Sequence, residues 1–174
     1  MSHRPPASSV ASLAAPRPQP RTGYQHHHIL PLALGRHAQI ARFLDDLAAQ
    51  GFRLTDRQTN CLWLPAKEAL AWSSGAALHR GPHPHYTDVV ASRIDRIRQR
   101  RLTQINSEGD AVTLHRLRRL QRALAHVLAG TGPRLVQLNR RDPLHLFSDY
   151  SQLDAAISAL DLTALDLTPF SGGG

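Results

Sequence analysis

The sequence predicts a mostly helical α+β domain, and three observations carry that expectation. Three segments space their apolar residues with the period of a helix, and brief segments between them read as strands. The chain of 174 residues is long enough to close one hydrophobic core and too short for two separate ones.

Taken in order, residues 1–22 are rich in Pro, Ser, Ala and Arg without periodicity and read as a disordered arm. Residues 24–30, stopped by Pro31, read as a strand. Over residues 36–50, Ile40, Phe43, Leu44 and Leu47 fall on one helical face, and Gly51 stands where a left-handed cap is wanted. Residues 52–54 and 61–64 read as two extended segments around a polar turn at 55–60, the second stopped by Pro65. One or two helical turns are expected over residues 66–72.

Residues 75–86, with Gly81, Pro82 and Pro84, read as a loop opening into a long helix whose face carries Val90, Ile94 and Ile97. Pro84 suits its first turn. A second long helix, 111–129, repeats the pattern at Leu117, Leu120, Leu124 and Leu128 before Gly130. Residues 134–138 read as a strand, and residues 151–160 as a short helix capped by Ser151. The organisation is therefore an arm (1–22), a core (23–106), a mainly helical extension (107–170) and a flexible tail (171–174).

The formal net charge is +8, and Lys67 is the one lysine, so arginine supplies nearly all of the positive charge. Guanidinium groups stay charged and fork onto phosphate oxygens, which points to a polyanionic partner such as DNA or RNA. Arg93, Arg96 and Arg100 recur at helical spacing, as do Arg116 and Arg119 on the next helix, and these stripes are candidate substrate contacts. A single cysteine, Cys61, excludes an intrachain disulfide and a cysteine-based zinc knuckle. No apolar run reaches the length of a membrane span, and the first residues lack the apolar stretch of a secretory signal. A cytoplasmic protein is expected, or one delivered into a target cell by a specialised secretion system, with no membrane partner.

Histidine is the unusual residue: His26, His27 and His28 stand together, and His79, His83 and His85 form a second group. Adjacent imidazoles repel when protonated and need partners when buried, so such clusters suit a metal or catalytic role. On a strand, neighbouring side chains face opposite ways, so one histidine can ligate an ion while the next faces substrate. His79 and His83 are four apart, a chelating distance on a helical turn, although Pro82 and Pro84 argue against a regular helix through both. His37, His115, His126 and His145 lack partners at ligand spacing, and Asp45 and Asp46 read as solvated helix residues.

The series Gly23-x-x-His26-His27-His28-Ile29-Leu30-Pro31, then Asn60-Cys61-Leu62-Trp63-Leu64-Pro65, then His79-x-Gly81-x-His83-x-x-Tyr86, resembles the AHH family of the HNH and endonuclease VII superfamily. The resemblance covers about residues 23–97. It implies a ββα metal finger with added helices and a metal-dependent endonuclease. By that likeness His27, His79 and His83 are metal ligands, His28 is the general base, and Asn60 holds the loop bearing the base. Tyr86 is expected to contact phosphate or to pack. His26 stands where the family name implies alanine, so the assignments can slide by one, leaving His26 and His85 as alternates.

One divalent ion is implied, zinc first, with magnesium, manganese or nickel as alternatives. The family likeness also implies a bacterial antagonistic toxin with a cognate immunity protein. The competing expectation is a non-catalytic, metal-stabilised module that binds nucleic acid or a partner. A zinc deaminase is disfavoured because its cysteine ligands and adjacent glutamate are missing.

Overall fold

The histidine-rich segment forms β1 (Tyr24–His28), which pairs antiparallel with β2 (Cys61–Pro65) in a computed structural model that describes residues 21–103, 108–131, 138, 141 and 142. Tyr24 lies opposite Pro65 and His28 opposite Cys61, so the sheet has two strands. Pleating places Gln25 and His27 on one face and His26 and His28 on the other, and of the first pair it is His27, nearer the core, that is buried, at 4% exposed.

A long connection joins the two strands. The helix expected over residues 36–50 resolves into a 3-10 turn (Leu32–Arg36), α1 (Ala38–Asp46) and a second 3-10 turn (Ala48–Gln50). Its apolar face is the expected one, with Ile40, Phe43, Leu44 and Leu47 buried, and Gly51 closes it at φ +81°. The next stretch differs from expectation. Residues 52–54 form no strand, and the polar residues that follow fold into a short helix, α2 (Arg57–Asn60). Asp56 accounts for the difference by capping that helix, its carboxylate accepting from the Gln58 amide at 2.9 Å and the Thr59 hydroxyl at 2.9 Å.

After β2, α3 (Glu68–Ser74) ends at Gly75, and a loop leads to α4 (Pro84–Leu102), with Pro84 in the first turn as its fixed φ favours. Tyr86, Val90, Ala91, Ile94 and Ile97 form the buried face of α4. α5 (Glu108–Leu128) packs against α4, and Leu114, Leu117, Leu120 and Leu124 are on its buried face. The fold is thus mostly helical α+β, and α5 shares one buried cluster with β2 and α1.

Gly130 ends α5 at φ +73°, and a Cβ there would sit 2.0 Å from the Gly75 carbonyl oxygen, so the two backbones touch. The Ala77 amide also donates to the Leu128 carbonyl at 2.9 Å. Together these contacts fasten the loop before α4 to the end of α5. Residues 1–20, the strand expected at 134–138 apart from Leu138, the helix at 151–160 and the tail lie outside the described residues. Among the described residues, no helix is long and apolar enough to cross a membrane.

Candidate active site

Three elements bring three histidines together. His27 comes from β1, His79 from the loop after α3, and His83 from the residue before α4. The His79 amide donates to the Pro65 carbonyl at 2.8 Å, which docks the loop on the end of β2. One ring nitrogen from each of the three lies within 4.8 Å of the other two. His27 Nε2, His79 Nδ1 and His83 Nε2 are buried without a hydrogen-bond partner among the described residues. Buried polar atoms of a folded protein are nearly always paired, so three orphaned nitrogens at one point form a set suited to an external electrophile.

Their protonation states agree with that chemistry. Burial first, then the neighbouring imidazoles, lowers the pKa of His27 to about 3 and that of His79 to about 4. Burial also lowers the pKa of His83. The three rings are therefore neutral near pH 7 and present lone pairs. The main-chain carbonyl of Leu138 lies 3.0 Å from His83 Nδ1. A carbonyl only accepts, so Nδ1 carries the proton and Nε2 is left as the donor atom toward the cluster. Three neutral imidazoles fit a borderline metal such as zinc.

His26 and His28 project from the other face of β1. His26 packs against Trp63, with ring centroids 3.7 Å apart, and its Nδ1 is also buried without a partner among the described residues, but it lies outside the three-histidine group. His28 is half-buried beside Arg57. Burial, then Arg57, then His26 lowers its pKa, which favours the neutral, proton-accepting ring. His85 is exposed in the first turn of α4 and is likewise outside the group.

The backbone just beyond His28 is held from two sides. Asn60 is fully buried: its Oδ1 accepts from the Leu30 amide at 2.8 Å, and its Nδ2 donates to the carbonyls of Leu30 at 2.9 Å and Leu54 at 2.7 Å. The Asn60 carbonyl accepts from the Ile29 amide at 3.0 Å. From the other side, the Tyr86 hydroxyl donates to the Ile29 carbonyl at 2.6 Å. Tyr86 has no exposed surface, its ring lies 5.4 Å from that of His27, and burial pushes its phenol pKa far up. Of the two expectations for Tyr86, phosphate contact or packing, this burial and the bond to Ile29 fit packing.

The arginines divide by use. On α4, Arg96 and Arg100 are exposed and Arg93 is half-buried, with Arg93 and Arg96 both engaged by other groups. Arg98 bonds Asp95 and Gln39, while Arg101 bonds Asp110 and lies over the Phe43 ring, so these two serve the fold.

Sequence reasoning missed Gln121, whose Nε2 donates to Asn60 Oδ1 at 2.9 Å. It also missed Asp142, which accepts from the Leu78 amide at 2.8 Å, next to His79. Neither has a local signal, because each meets its partner across more than 60 positions of sequence.

A strand pair, a following helix and an inward group of three histidines make a candidate metal-binding site. The chain belongs to the AHH family: the family model described as a nuclease family of the HNH/ENDO VII superfamily with conserved AHH matches residues 9–124. That match runs through β1, β2, α4 and most of α5. Searches among curated proteins and among solved structures each found no match.

Proposed function

We propose that this protein is a metal-dependent endonuclease that hydrolyses phosphodiester bonds, with DNA ahead of RNA as substrate. The observation that carries the reading is the convergence of His27, His79 and His83 beside a strand whose opposite face carries His28.

In this reading His27, His79 and His83 hold one divalent ion, zinc first and magnesium, manganese or nickel as alternatives. When bound, the ion would supply Lewis acidity toward a phosphoryl oxygen and the departing oxygen. His28 takes the proton of a water whose oxygen bonds to phosphorus as the P–O bond to the leaving group breaks. Burial and Arg57 keep His28 in the base form. Asn60 and Tyr86 fix the backbone that carries His28 and act as positioning residues.

Arg93, Arg96 and Arg100 are proposed to meet the nucleic-acid backbone along α4. Use of the enzyme as a bacterial antagonistic toxin, with delivery into a target cell and an immunity protein as partner, rests on the family likeness alone.

The test is cleavage of plasmid DNA and structured RNA by the purified chain, with and without EDTA, followed by return of zinc, magnesium, manganese or nickel. Metal-dependent cutting is expected, reduced about 10²–10⁴-fold by His28→Ala with zinc binding and melting temperature unchanged. Cleavage that survives His28→Ala would remove the base assignment. Intact DNA and RNA with every metal would favour the non-catalytic binding module instead.

A further inference from the structure

α5 has a second face besides its leucine face. Arg118, Gln121, Arg122 and Ala125 follow one another at spacings of three, one and three, which places them on a single side of the helix. This side lines a cavity of about 260 Å³ together with Ile29, Phe52, Arg53 and Thr59. The cavity begins at the residue following His28 and reaches Thr59, the neighbour of Asn60.

Its chemistry is divided. Ile29, Phe52 and Ala125 give an apolar floor, while the exposed arginines Arg53, Arg118 and Arg122 give a cationic rim. Among the described residues no carboxylate lines it, and the nearby Asp56 is occupied by the Gln58 amide and the Thr59 hydroxyl. The Gln121 amide is oriented by its bond to Asn60. Drug-sized ligands occupy pockets of about 300 Å³ and above, so this volume suits one planar base with its phosphate on the rim.

We propose that this cavity is a nucleotide subsite that seats one unstacked base, with its phosphate on Arg118 and Arg122, beside the scissile position. A base inside a duplex shows only its edges in the grooves, whereas an apolar floor rewards a base removed from the stack. The substrate is then single-stranded or locally unpaired nucleic acid. The subsite lies apart from the arginine stripe of α4. The Gln121 amide links it to Asn60 and through Asn60 to Leu30, so an occupant bears on the strand that holds His28.

This inference rests on the nuclease reading, but its test does not need cleavage, because a mononucleotide has no phosphodiester to cut. The zinc-supplemented full chain is titrated with 5′-dAMP, deoxyadenosine and inorganic phosphate, followed by backbone amide shifts. 5′-dAMP is expected to bind at least tenfold more tightly than either part alone, with shifts over residues 52–59 and 118–125. Arg118→Ala with Arg122→Ala should weaken it at least tenfold, and Ala125→Leu should fill the floor and remove base binding without changing charge.

Phosphate binding as well as 5′-dAMP would overturn the base seat. Shifts confined to His79 and His83, or binding indifferent to the paired arginine change, would overturn the subsite. Because both arginines are exposed, that variant keeps the test decisive even where Ala125→Leu unfolds. Absent cleavage with intact 5′-dAMP binding would overturn the endonuclease reading while leaving the subsite.

Discussion

Gln121 Nε2 donates to Asn60 Oδ1 at 2.9 Å, and the same oxygen accepts from the Leu30 amide at 2.8 Å. Both side chains are buried, so a residue on α5 completes the hydrogen-bonding capacity of the amide that pins the end of β1. α5 therefore supports the strand that carries His28 as well as the core.

Removal of that amide should be severe. Asn60→Ala strands buried groups on Leu30, Leu54 and Gln121, at a cost of at least about 3 kcal/mol in urea unfolding. Gln121→Leu should cost about 1–2 kcal/mol, because a single hydrogen bond is lost and Asn60 keeps three others. It should lower kcat with zinc affinity unchanged. A Gln121→Leu protein with full kcat would show that α5 supports the fold and not the strand that carries His28.

Zinc should raise the melting temperature. A ligand that binds only the native state adds about 2.7 kcal/mol at a hundred times its Kd, a shift of several degrees for a domain of this size. His27→Ala and His83→Ala should each abolish the shift, while His26→Ala should keep it, since His26 packs against Trp63 away from the cluster. Differential scanning fluorimetry against zinc concentration checks this, and a shift lost in His26→Ala alone would move the ligand set by one residue.

The metal-free protein should become less stable as pH falls. The folded pKa values of His27 and His79, about 3 and about 4, lie below the ordinary 6.5, so between those limits the unfolded chain binds more protons. Stability from these two residues is complete above about pH 6.5 and is lost progressively as pH drops through the folded values. Melting in EDTA between pH 7.5 and 4.5 should show a steady decline that His27→Ala makes shallower. An equal slope in that variant would exclude His27 as a source.

Two glycines with the same backbone conformation should respond differently to alanine. Gly51 and Gly130 have φ of +81° and +73°, but a Cβ at Gly51 meets nothing within 4 Å, whereas one at Gly130 meets the Gly75 carbonyl. Gly51→Ala should cost about 1 kcal/mol from its positive φ alone. Gly130→Ala should cost about 2 kcal/mol or more and weaken zinc binding, because the displaced loop carries His79. Denaturant midpoints and zinc titrations of the two variants check the contrast.

The sequence by itself determined much of the local structure. The periods of residues 36–50 and of the two long helices gave their buried faces, and Gly51, Pro84 and Gly130 marked their ends, because helix faces and caps depend on neighbours within a few positions. The ordered run of His27, Asn60, His79 and His83 also carried the family. The stretch from Phe52 to Asn60 was not legible, since a helix-capping Asp56 and a polar turn have the same composition.

Tertiary structure alone decided which histidine of the triplet faces inward, because a strand's alternation fixes which residues share a face but not which face meets the core. It also turned Tyr86 from a candidate phosphate contact into a buried brace for Ile29. Gln121, the Leu138 carbonyl and Asp142 reach the site from the C-terminal side only because α5 packs across α4, and no spacing within a single segment encodes such contacts.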